Sequence, residues 1–414
     1  MKAVGIVAEY NPFHNGHLHH VTETKKITGL PVIAVMSGSL CQRGEPAFIN
    51  KWLRSRLAVE NGVDLVLELP TVFTLRSAEY FAKGAVDILA STGCITALSC
   101  GAENPQFNFT DMAKTMVSPK FQQRLRLALA NGTSYAAACD KILALSSNTT
   151  QALNSPNDIL ALEYSKALLS YDIRPIYCQR TDSGYNSTDI GTTIASATAI
   201  RRDFNSKNQL WQEAVPDNVK NYLQHNSAGY DENLLWQLIS YRLRLLRPQD
   251  IANCCQCSEG MENLLQKAVN CSSLGEALAN TSQKRYPASR LRRTLLQLLL
   301  NRPRSWYEQN EPAYIRVLAF NNTGRQLLKI MKKTAALPII IKLGKNPTYG
   351  QSTAFQEQIE LDIAAAEMLS LLQYKPSGID YLTSPAYIQK YTKYKSPLSN
   401  KSLDKGLFCQ QNTR

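Results

Sequence analysis

Alternation between continuous apolar runs and helical stretches constrains the first 200 residues more than any other feature. The apolar runs lie at residues 3–9, 30–36, 64–69, 95–99 and 173–179. Stretches with helical periodicity separate them, at residues 16–28, 50–61 and 77–89, with a mostly helical region over 104–170. Buried strands that alternate with helices form βαβ units, so the pattern predicts an α/β, Rossmann-like domain with a parallel sheet. Ligands of such sheets bind beyond the carboxyl ends of the strands.

The second half of the chain follows a different pattern. Residues 203–300 are mainly helical by apolar periodicity, and a small βαβ element is expected from a strand at 314–320, a helix at 323–333 and a strand at 338–342. A helix over 354–372 follows, and the tail after Ser384 is expected to be irregular. We therefore predict two domains, residues 1–203 and a mainly helical region over residues 204–414.

Charge separates the same two halves. The chain of 414 residues has 46 Lys+Arg and 33 Asp+Glu, a net charge of +13. Residues 1–200 contain 17 basic and 16 acidic side chains, whereas residues 201–414 contain 29 and 17. The excess is densest over residues 281–345, which hold 14 Lys/Arg and two acids. Such asymmetry indicates a polyanionic partner such as a nucleic acid, and a basic surface that serves solubility is the alternative.

Apolar runs and cysteines indicate the compartment. No apolar run approaches the 18 residues of a membrane span, and Glu9 interrupts the first run before it could act as a signal peptide. The ten cysteines lack the spacing of a disulfide framework. We therefore expect a cytoplasmic protein with reduced thiols and no membrane contact.

Four of the five histidines, His14, His17, His19 and His20, lie within seven residues after the first strand. The chain leaves this strand, turns at Pro12 and enters a helix near Gly16. Free N–H groups at a helix N-terminus attract phosphate, and His14 and His17 can both donate hydrogen bonds to phosphate oxygens. The alternatives are a metal site, which lacks carboxylates at ligand spacing, and unrelated surface histidines.

Longer strings make this loop recognisable. The pattern His14-Asn15-Gly16-His17 resembles the signature of the HIGH-motif nucleotidyltransferase superfamily. Four strings together resemble the bacterial tRNA(Met) cytidine acetate ligase family: EYNPFHNGH at residues 9–17, QRGEPA at 42–47, NGVDLVLELP at 61–70 and AEYFAKGAV at 78–86. The resemblance continues more weakly into residues 286–301.

This resemblance implies an enzyme that activates acetate with ATP as acetyl-adenylate. It then implies transfer of the acetyl group to N4 of the wobble cytidine of elongator tRNA(Met). A Mg²⁺ ion is expected with the ATP, and no residues are assigned as metal ligands. The ATP-binding residues that it implies are Val7, Ala8, Glu9, Tyr10, Asn11, Pro12, Phe13, His14, Asn15, Gly16, His17, Leu18, His19, His20, Gly101, Asn157, Arg180 and Thr181.

A second superfamily signature resembles residues 194–201. Its hydroxyl groups, Ser196 and Thr198, and the guanidinium of Arg201 are the residue types that a phosphate site needs. An ordinary helix cap with a surface arginine is the alternative for this string alone. We predict that His14, His17 and Arg201 act in catalysis by positioning the phosphates and neutralising their charge.

Basic residues of the second half are predicted to bind tRNA, in two groups: Arg290, Arg292 and Arg293, and Lys329, Lys332 and Lys333. Two other functions stay open, an adenylyltransferase that acts on a small phosphorylated metabolite and a non-catalytic tRNA-binding protein. Cys254, Cys255, Cys257 and Cys271 suggest zinc, but the adjacent pair is poor ligand spacing, so packing or surface thiols are favoured. Neither a Walker A string nor a Gly-x-Gly-x-x-Gly string occurs.

Overall fold

The computed structural model describes residues 1–131, 133, 138–139, 141–143, 155–180, 195–226, 228–257, 260–283, 285–309, 311–344 and 352–389. Ten strands occur in these residues: β1 (Ala3–Ala8), β2 (Val32–Ser37), β3 (Leu40–Cys41), β4 (Glu45–Pro46), β5 (Leu65–Leu69), β6 (Ile95–Ala102), β7 (Arg174–Gln179), β8 (Ile315–Asn321), β9 (Ile339–Ile340) and β10 (Ala386–Ile388). Eight of them form one sheet, and β3 and β4 form a separate antiparallel pair.

The strand order of the large sheet is β10-β8-β5-β2-β1-β6-β7, and β9 also pairs with β8. Strands β5, β2, β1, β6 and β7 are parallel to one another. Successive side chains point to opposite faces of the sheet, so Ile33 and Leu65 join one hydrophobic core while Val32 and Val66 join a second. Each face therefore has its own covering layer, as expected for a parallel sheet.

Seventeen α-helices lie in the described residues: α1 (Asn15–Thr28), α2 (Lys51–Glu60), α3 (Thr71–Thr74), α4 (Ala78–Ser91), α5 (Phe109–Val117), α6 (Pro119–Ala130), α7 (Pro156–Leu168), α8 (Ala197–Asn205), α9 (Asp217–His225), α10 (Glu232–Leu245), α11 (Pro248–Cys254), α12 (Met261–Lys267), α13 (Leu274–Thr281), α14 (Ala288–Leu300), α15 (Asn322–Thr334), α16 (Thr353–Leu372) and α17 (Ile379–Leu382). Side-chain caps begin several of them. Asn50 accepts from Leu53 N at 3.0 Å, and Ser155 accepts from Asp158 N at 3.2 Å.

The second half of the chain contributes strands to the sheet of the first half. The predicted βαβ element is present as β8, α15 and β9, but β8 pairs antiparallel with β5, with Leu65 opposite Phe320. Strand β10 then pairs with β8 in a segment that the sequence analysis expected to be irregular. The α/β class and the mainly helical second half are confirmed. The boundary at residue 203 stays a prediction.

Fully buried charges tie the two halves together. Lys51 Nζ lies 2.6 Å from Glu68 Oε1 and 2.7 Å from Asp380 Oδ2, and Arg316 Nη1 lies 3.0 Å from the same Asp380 oxygen. None of these four side chains is more than 2% exposed. Since buried charges are tolerated only when they are paired, this network fixes α17 against α2 and the sheet.

None of the described helices is both long and apolar enough to cross a membrane.

Candidate active site

The histidine loop lies at the carboxyl end of β1, as the sequence predicts. Tyr10 adopts a left-handed backbone conformation, with φ of 47°, which turns the chain sharply as it leaves the strand. Helix α1 then begins with His14 as its N-cap residue, and His14 Nδ1 accepts a hydrogen bond from Gly16 N at 3.1 Å. A histidine therefore occupies a position that Ser, Thr, Asp or Asn usually fills.

His14 and His17 form a stacked pair across this cap. Their ring centroids lie 3.6 Å apart with an interplanar angle of 26°, and His17 Nδ1 accepts from His14 N at 3.3 Å. Because Nδ1 of each ring is an acceptor, the proton of each neutral ring is on Nε2. In each ring, Nδ1 is used in the helix cap, and Nε2–H is the donor that a ligand can use.

Burial keeps these rings neutral. It lowers the pKa of His14 to about 3, and the positive charge of Arg180 adds to the effect. The pKa of His17 is also well below its usual range, through burial first and then the neighbouring charges of His14 and Arg180. Two neutral donors beside an arginine suit a polyanion, because they stabilise phosphate oxygens without repelling one another.

His20 lies one turn further along α1 and contacts the sheet. Its Nε2 lies 2.9 Å from Ser99 Oγ, and Ser99 Oγ lies 2.7 Å from Thr24 Oγ1. Burial lowers the pKa of His20 to about 4. Ser99 is fully buried in β6, so this contact fixes α1 against the floor of the site.

The rings face a cleft with two lobes that share His14, His17 and Arg180. The lobes contain about 780 Å³ and 980 Å³ of space, including the open solvent at their mouths. The first lobe is also lined by Gly16, His19, His20, Gly101 and Gln179. The second is also lined by Glu9, Asn11, Cys41, Gln42, Arg43, Glu45, Phe81, Ser196, Thr198 and Arg201. Val7, Ala8, Tyr10, Asn157, Leu160 and Tyr164 line both lobes.

One wall of the cleft is formed by β6, β7 and the beginning of α7. Asn157 Nδ2 donates to Glu103 Oε1 at 2.9 Å, and its Oδ1 lies 3.5 Å from Arg180 Nη1. Gly101 lies against Arg180, since a Cβ at this glycine would come within 3.1 Å of Arg180 Cγ. Thr181, which was predicted with these residues, lies outside the described part of the chain.

Residues of the second signature line the second lobe of the cleft. Ser196 begins α8 by accepting from Ala199 N at 3.2 Å. Arg201 Nη1 donates to the backbone oxygen of Asn11 at 2.8 Å, and its Nη2 lies 3.5 Å from Thr198 Oγ1. These contacts connect the second signature directly to the histidine loop, although 190 residues separate them in sequence.

Glu45 is a residue of the cleft that the sequence analysis did not assign. Its Oε2 lies 2.9 Å from Arg201 Nη2, and its Oε1 lies 2.6 Å from Arg292 Nη1. Arg293 Nη1 donates to the Gln42 oxygen at 2.8 Å on the same loop. The only signal in the sequence was the QRGEPA string, which contributes to the family resemblance but carries no chemistry that identifies a role.

Four predicted loop residues do not line either lobe: Pro12, Phe13, Asn15 and Leu18. Phe13 is buried against the Tyr10 and His17 rings, with centroid distances of 4.9 Å and 5.5 Å. Asn15 Nδ2 donates to the Glu213 oxygen at 2.8 Å. Their contacts shape the loop, and a direct contact of these four with ATP stays a prediction.

The two predicted tRNA-binding groups lie apart from each other. Arg292 and Arg293 lie beside the cleft through the loop contacts described above, and Arg290 is three residues away on α14. Lys332 and Lys333 lie next to Thr334, whose Oγ1 donates to the Thr92 oxygen near the amino end of β6. This is the end of the parallel sheet opposite the histidine loop. Lys329 is exposed one turn earlier on α15.

The cysteines considered for zinc binding lie in the second half of the chain. Cys255 and Cys257 are buried, with their sulfur atoms 3.4 Å apart, and Cys254 and Cys271 are partly exposed. No group of three or more His, Cys, Asp or Glu side chains among these residues could hold a metal ion. Burial also raises the pKa of the Cys41 thiol, so this cleft residue is not a thiolate nucleophile at neutral pH.

Known proteins match this chain over most of its length. A sequence model of the family described as HIGH Nucleotidyl Transferase matches residues 1–380. The tRNA(Met) cytidine acetate ligase of Clostridium kluyveri is 36% identical over 416 residues, covering 94% of this chain and 100% of that protein. The corresponding protein of Leuconostoc mesenteroides is 36% identical over 404 residues, with the same coverage. The sheet, the histidine loop and these matches define a nucleotidyl transferase of the HIGH type.

Solved structures give the same result over the same length. Apo Thermotoga maritima TmcAL, crystal form I, superposes with a TM-score of 0.88 at 31% identity, covering 94% of this chain and 100% of that chain. The same protein bound with α-thio ATP gives a TM-score of 0.85 at 31% identity. The chain belongs to the tRNA(Met) cytidine acetate ligase family, so the resemblance found in its motifs is confirmed.

Proposed function

We propose that this protein activates acetate with ATP and transfers the acetyl group to N4 of the wobble cytidine of elongator tRNA(Met). The observation that carries the proposal is the stacked, neutral His14–His17 pair, which lines the cleft beyond the carboxyl end of β1. The names of its relatives supply the acetate and the tRNA substrate. The relative bound with α-thio ATP supports ATP as the nucleotide.

In the first step, an acetate oxygen attacks the α-phosphorus of ATP. The bond from the α-phosphorus to the β-phosphate oxygen breaks, and pyrophosphate leaves with the electron pair. We assign His14, His17 and Arg201 to the phosphates as catalytic residues, with Ser196 and Thr198 as further donors. Negative charge builds up on the phosphate oxygens in this step, so fixed donors accelerate it more than a protein nucleophile would.

The nucleoside is assigned to the first lobe. Gly101 lines this lobe but not the second one, and Arg180 lines both lobes together with the phosphate donors His14 and His17. Mg²⁺ usually binds phosphate oxygens and water rather than an all-protein site. It would therefore be held by the triphosphate oxygens and water, and no step of the proposal depends on it.

In the second step, N4 of the cytidine attacks the acetyl carbonyl carbon. AMP leaves, and the amine proton is lost to solvent or to a base. The target base must therefore enter the same cleft. Arg292 and Arg293 contact residues 42–45 beside the cleft, and Arg290 precedes them on α14. We therefore assign these three arginines to the tRNA backbone, whereas Lys329, Lys332 and Lys333 would contact only a distant part of a tRNA. Residues 1–203 would then handle ATP and acetate, and residues 204–414 would bind tRNA.

A product assay tests this function. The protein is incubated with elongator tRNA(Met), ATP and acetate, and the digested tRNA is examined for N4-acetylcytidine by mass spectrometry. We expect the modified nucleoside only when all three substrates are present. An adenylyltransferase of small metabolites and a non-catalytic tRNA-binding protein both predict that none is formed.

A further inference from the structure

A second groove begins where the reaction cleft ends. Helix α7 lines the cleft with Asn157, Leu160 and Tyr164, which share one helix face, and lines the groove with Ile159 and Glu163 on the adjacent face. Helix α4 likewise contributes Phe81 to the cleft and Tyr80 to the groove. The two cavities are therefore neighbours on the same pair of helices.

Positive charge dominates this arginine groove, which is lined by Arg76, Tyr80, Glu163, Arg290, Arg293 and Arg304 among others. The described lining includes four arginines and two glutamates. Both glutamates contact a lysine, since Lys166 Nζ lies 2.7 Å from Glu163 Oε2 and 3.4 Å from Glu79 Oε1. A single lysine thus offsets part of this acidic charge, and four arginines against two glutamates leave the described lining with a net positive charge.

Two of these arginines, Arg290 and Arg293, repel each other. Burial and the neighbouring charge of Arg290 lower the pKa of Arg293 to about 10, so Arg293 remains charged at neutral pH. Arg304 is held at the groove wall, because its Nη1 donates to the Cys257 oxygen at 3.1 Å and its Nε pairs with Glu308 Oε1 at 2.9 Å. An anion beside Arg290 and Arg293 would relieve the repulsion between them.

Tyr80 adds an aromatic surface to the groove. Its ring is partly exposed, and the guanidinium carbon of Arg76 lies 3.2 Å from the ring centroid. Arg76 is itself buried, and its Nη1 donates to the Gln309 oxygen at 2.6 Å. Its guanidinium is therefore held in place against one face of the Tyr80 ring. Basic grooves that carry aromatic rings are typical of sites for single-stranded nucleic acid, since bases stack on the rings while phosphates contact the cations.

We propose that the arginine groove binds an unpaired RNA nucleotide that flanks the target cytidine, with its base on Tyr80 and its phosphate at Arg290 and Arg304. The inference rests on the proposed function for the identity of the RNA. It adds a site that lies outside the ATP cleft. A nucleotide held there would fix the position of its neighbour, so the cytidine amine would reach the acetyl-adenylate in one orientation.

The test uses the full-length protein and three tRNA(Met) molecules: the intact tRNA and two in which the nucleotide 5′ or 3′ of the target cytidine is abasic. The kcat/KM of acetyl transfer is measured for wild type, Tyr80→Ala, Tyr80→Phe and Arg304→Gln. Base stacking on an aromatic ring predicts that Tyr80→Ala lowers kcat/KM roughly 5- to 150-fold, chiefly through KM, while Tyr80→Phe stays near wild type. Arg304→Gln should reduce the salt dependence of tRNA binding by about one phosphate contact.

The abasic tRNAs provide the decisive comparison. For wild type, one of the two abasic tRNAs should have a much lower kcat/KM than the intact tRNA. For Tyr80→Ala, the same abasic tRNA should have nearly the same kcat/KM as the intact tRNA. The proposal is overturned if Tyr80→Ala loses as much from the abasic change as wild type does, or if neither abasic tRNA affects wild type. Acetate-dependent ATP–pyrophosphate exchange should be unchanged in Tyr80→Ala, and a loss of exchange would contradict a role limited to RNA.

Failure of the proposed function gives a different result. If wild type forms no N4-acetylcytidine, the same variants and tRNAs are compared by fluorescence anisotropy binding. RNA binding by the arginine groove is then supported if the abasic change weakens binding by wild type but not by Tyr80→Ala. It is contradicted if both proteins lose affinity equally.

Discussion

Lowering the pH from 7 to 5 tests whether His14 is held neutral. The unfolded chain has a histidine pKa of about 6.5, whereas burial lowers the pKa of His14 to about 3 in the native protein. Below about pH 6.5 the unfolded state therefore binds a proton that native His14 does not. The stability that neutral His14 provides is present above that pH and is lost as the pH falls toward 3. At pH 5, about 1.5 units below the histidine pKa of the unfolded chain, protonation of the unfolded state lowers the free energy of unfolding by about 2 kcal/mol.

Urea unfolding at pH 7 and pH 5 measures this loss. Carboxylates titrate in the same range, so the informative quantity is the difference between wild type and His14→Asn. Asparagine retains a side-chain oxygen that can accept from Gly16 N and has no titrating group. We expect the loss of stability between pH 7 and pH 5 to be about 2 kcal/mol smaller in His14→Asn.

The control is His225→Asn, because His225 lies at the exposed end of α9. Equal losses in wild type and His14→Asn would refute the assignment of His14 as a buried neutral donor. NMR titration of the histidine ring protons would then be expected to show His14 protonated at pH 5.

Two further substitutions test the contacts between the halves of the chain. Asp380→Ala leaves two buried cations short of a partner and should cost about 3–5 kcal/mol in urea unfolding, whereas Asp250→Ala, in an exposed ion pair, should change stability little. A Cβ at Gly44 would lie 2.5 Å from Arg293 N, whereas one at Gly260 would meet nothing within 4 Å; both glycines have positive φ. Gly44→Ala should therefore lower the free energy of unfolding clearly more than Gly260→Ala does. Equal losses of stability would show that the loop of residues 42–45 does not contact α14 closely.

Much of the fold could be predicted from the sequence because local patterns determine it. The five parallel strands lie within two residues of the predicted starts, since each is a continuous apolar run between helical stretches. The histidine loop was identified for the same reason. All its parts, the strand end, the turn and the first turn of α1, are contiguous in the chain, so their order in sequence already gives their order in space.

The features that could not be predicted depend on contacts between distant residues. Glu45 and Arg292 are 247 residues apart, and nothing local to either one indicates the ion pair. The pairing of β8 with β5 joins segments about 250 residues apart, so the predicted βαβ element could not be placed at the edge of the sheet. The Lys51–Asp380 contact is similar, because an isolated lysine in an amphipathic helix is usually exposed.

Acetate-dependent ATP–pyrophosphate exchange in wild type and His17→Ala tests the central claim most directly. We expect wild type to exchange label only when acetate is present. Removal of the His17 Nε2–H donor should reduce the rate by about 100-fold or more, which is the usual cost of losing a donor to a developing oxyanion. Circular dichroism verifies that the variant is folded. Exchange by folded His17→Ala at the wild-type rate would contradict the account.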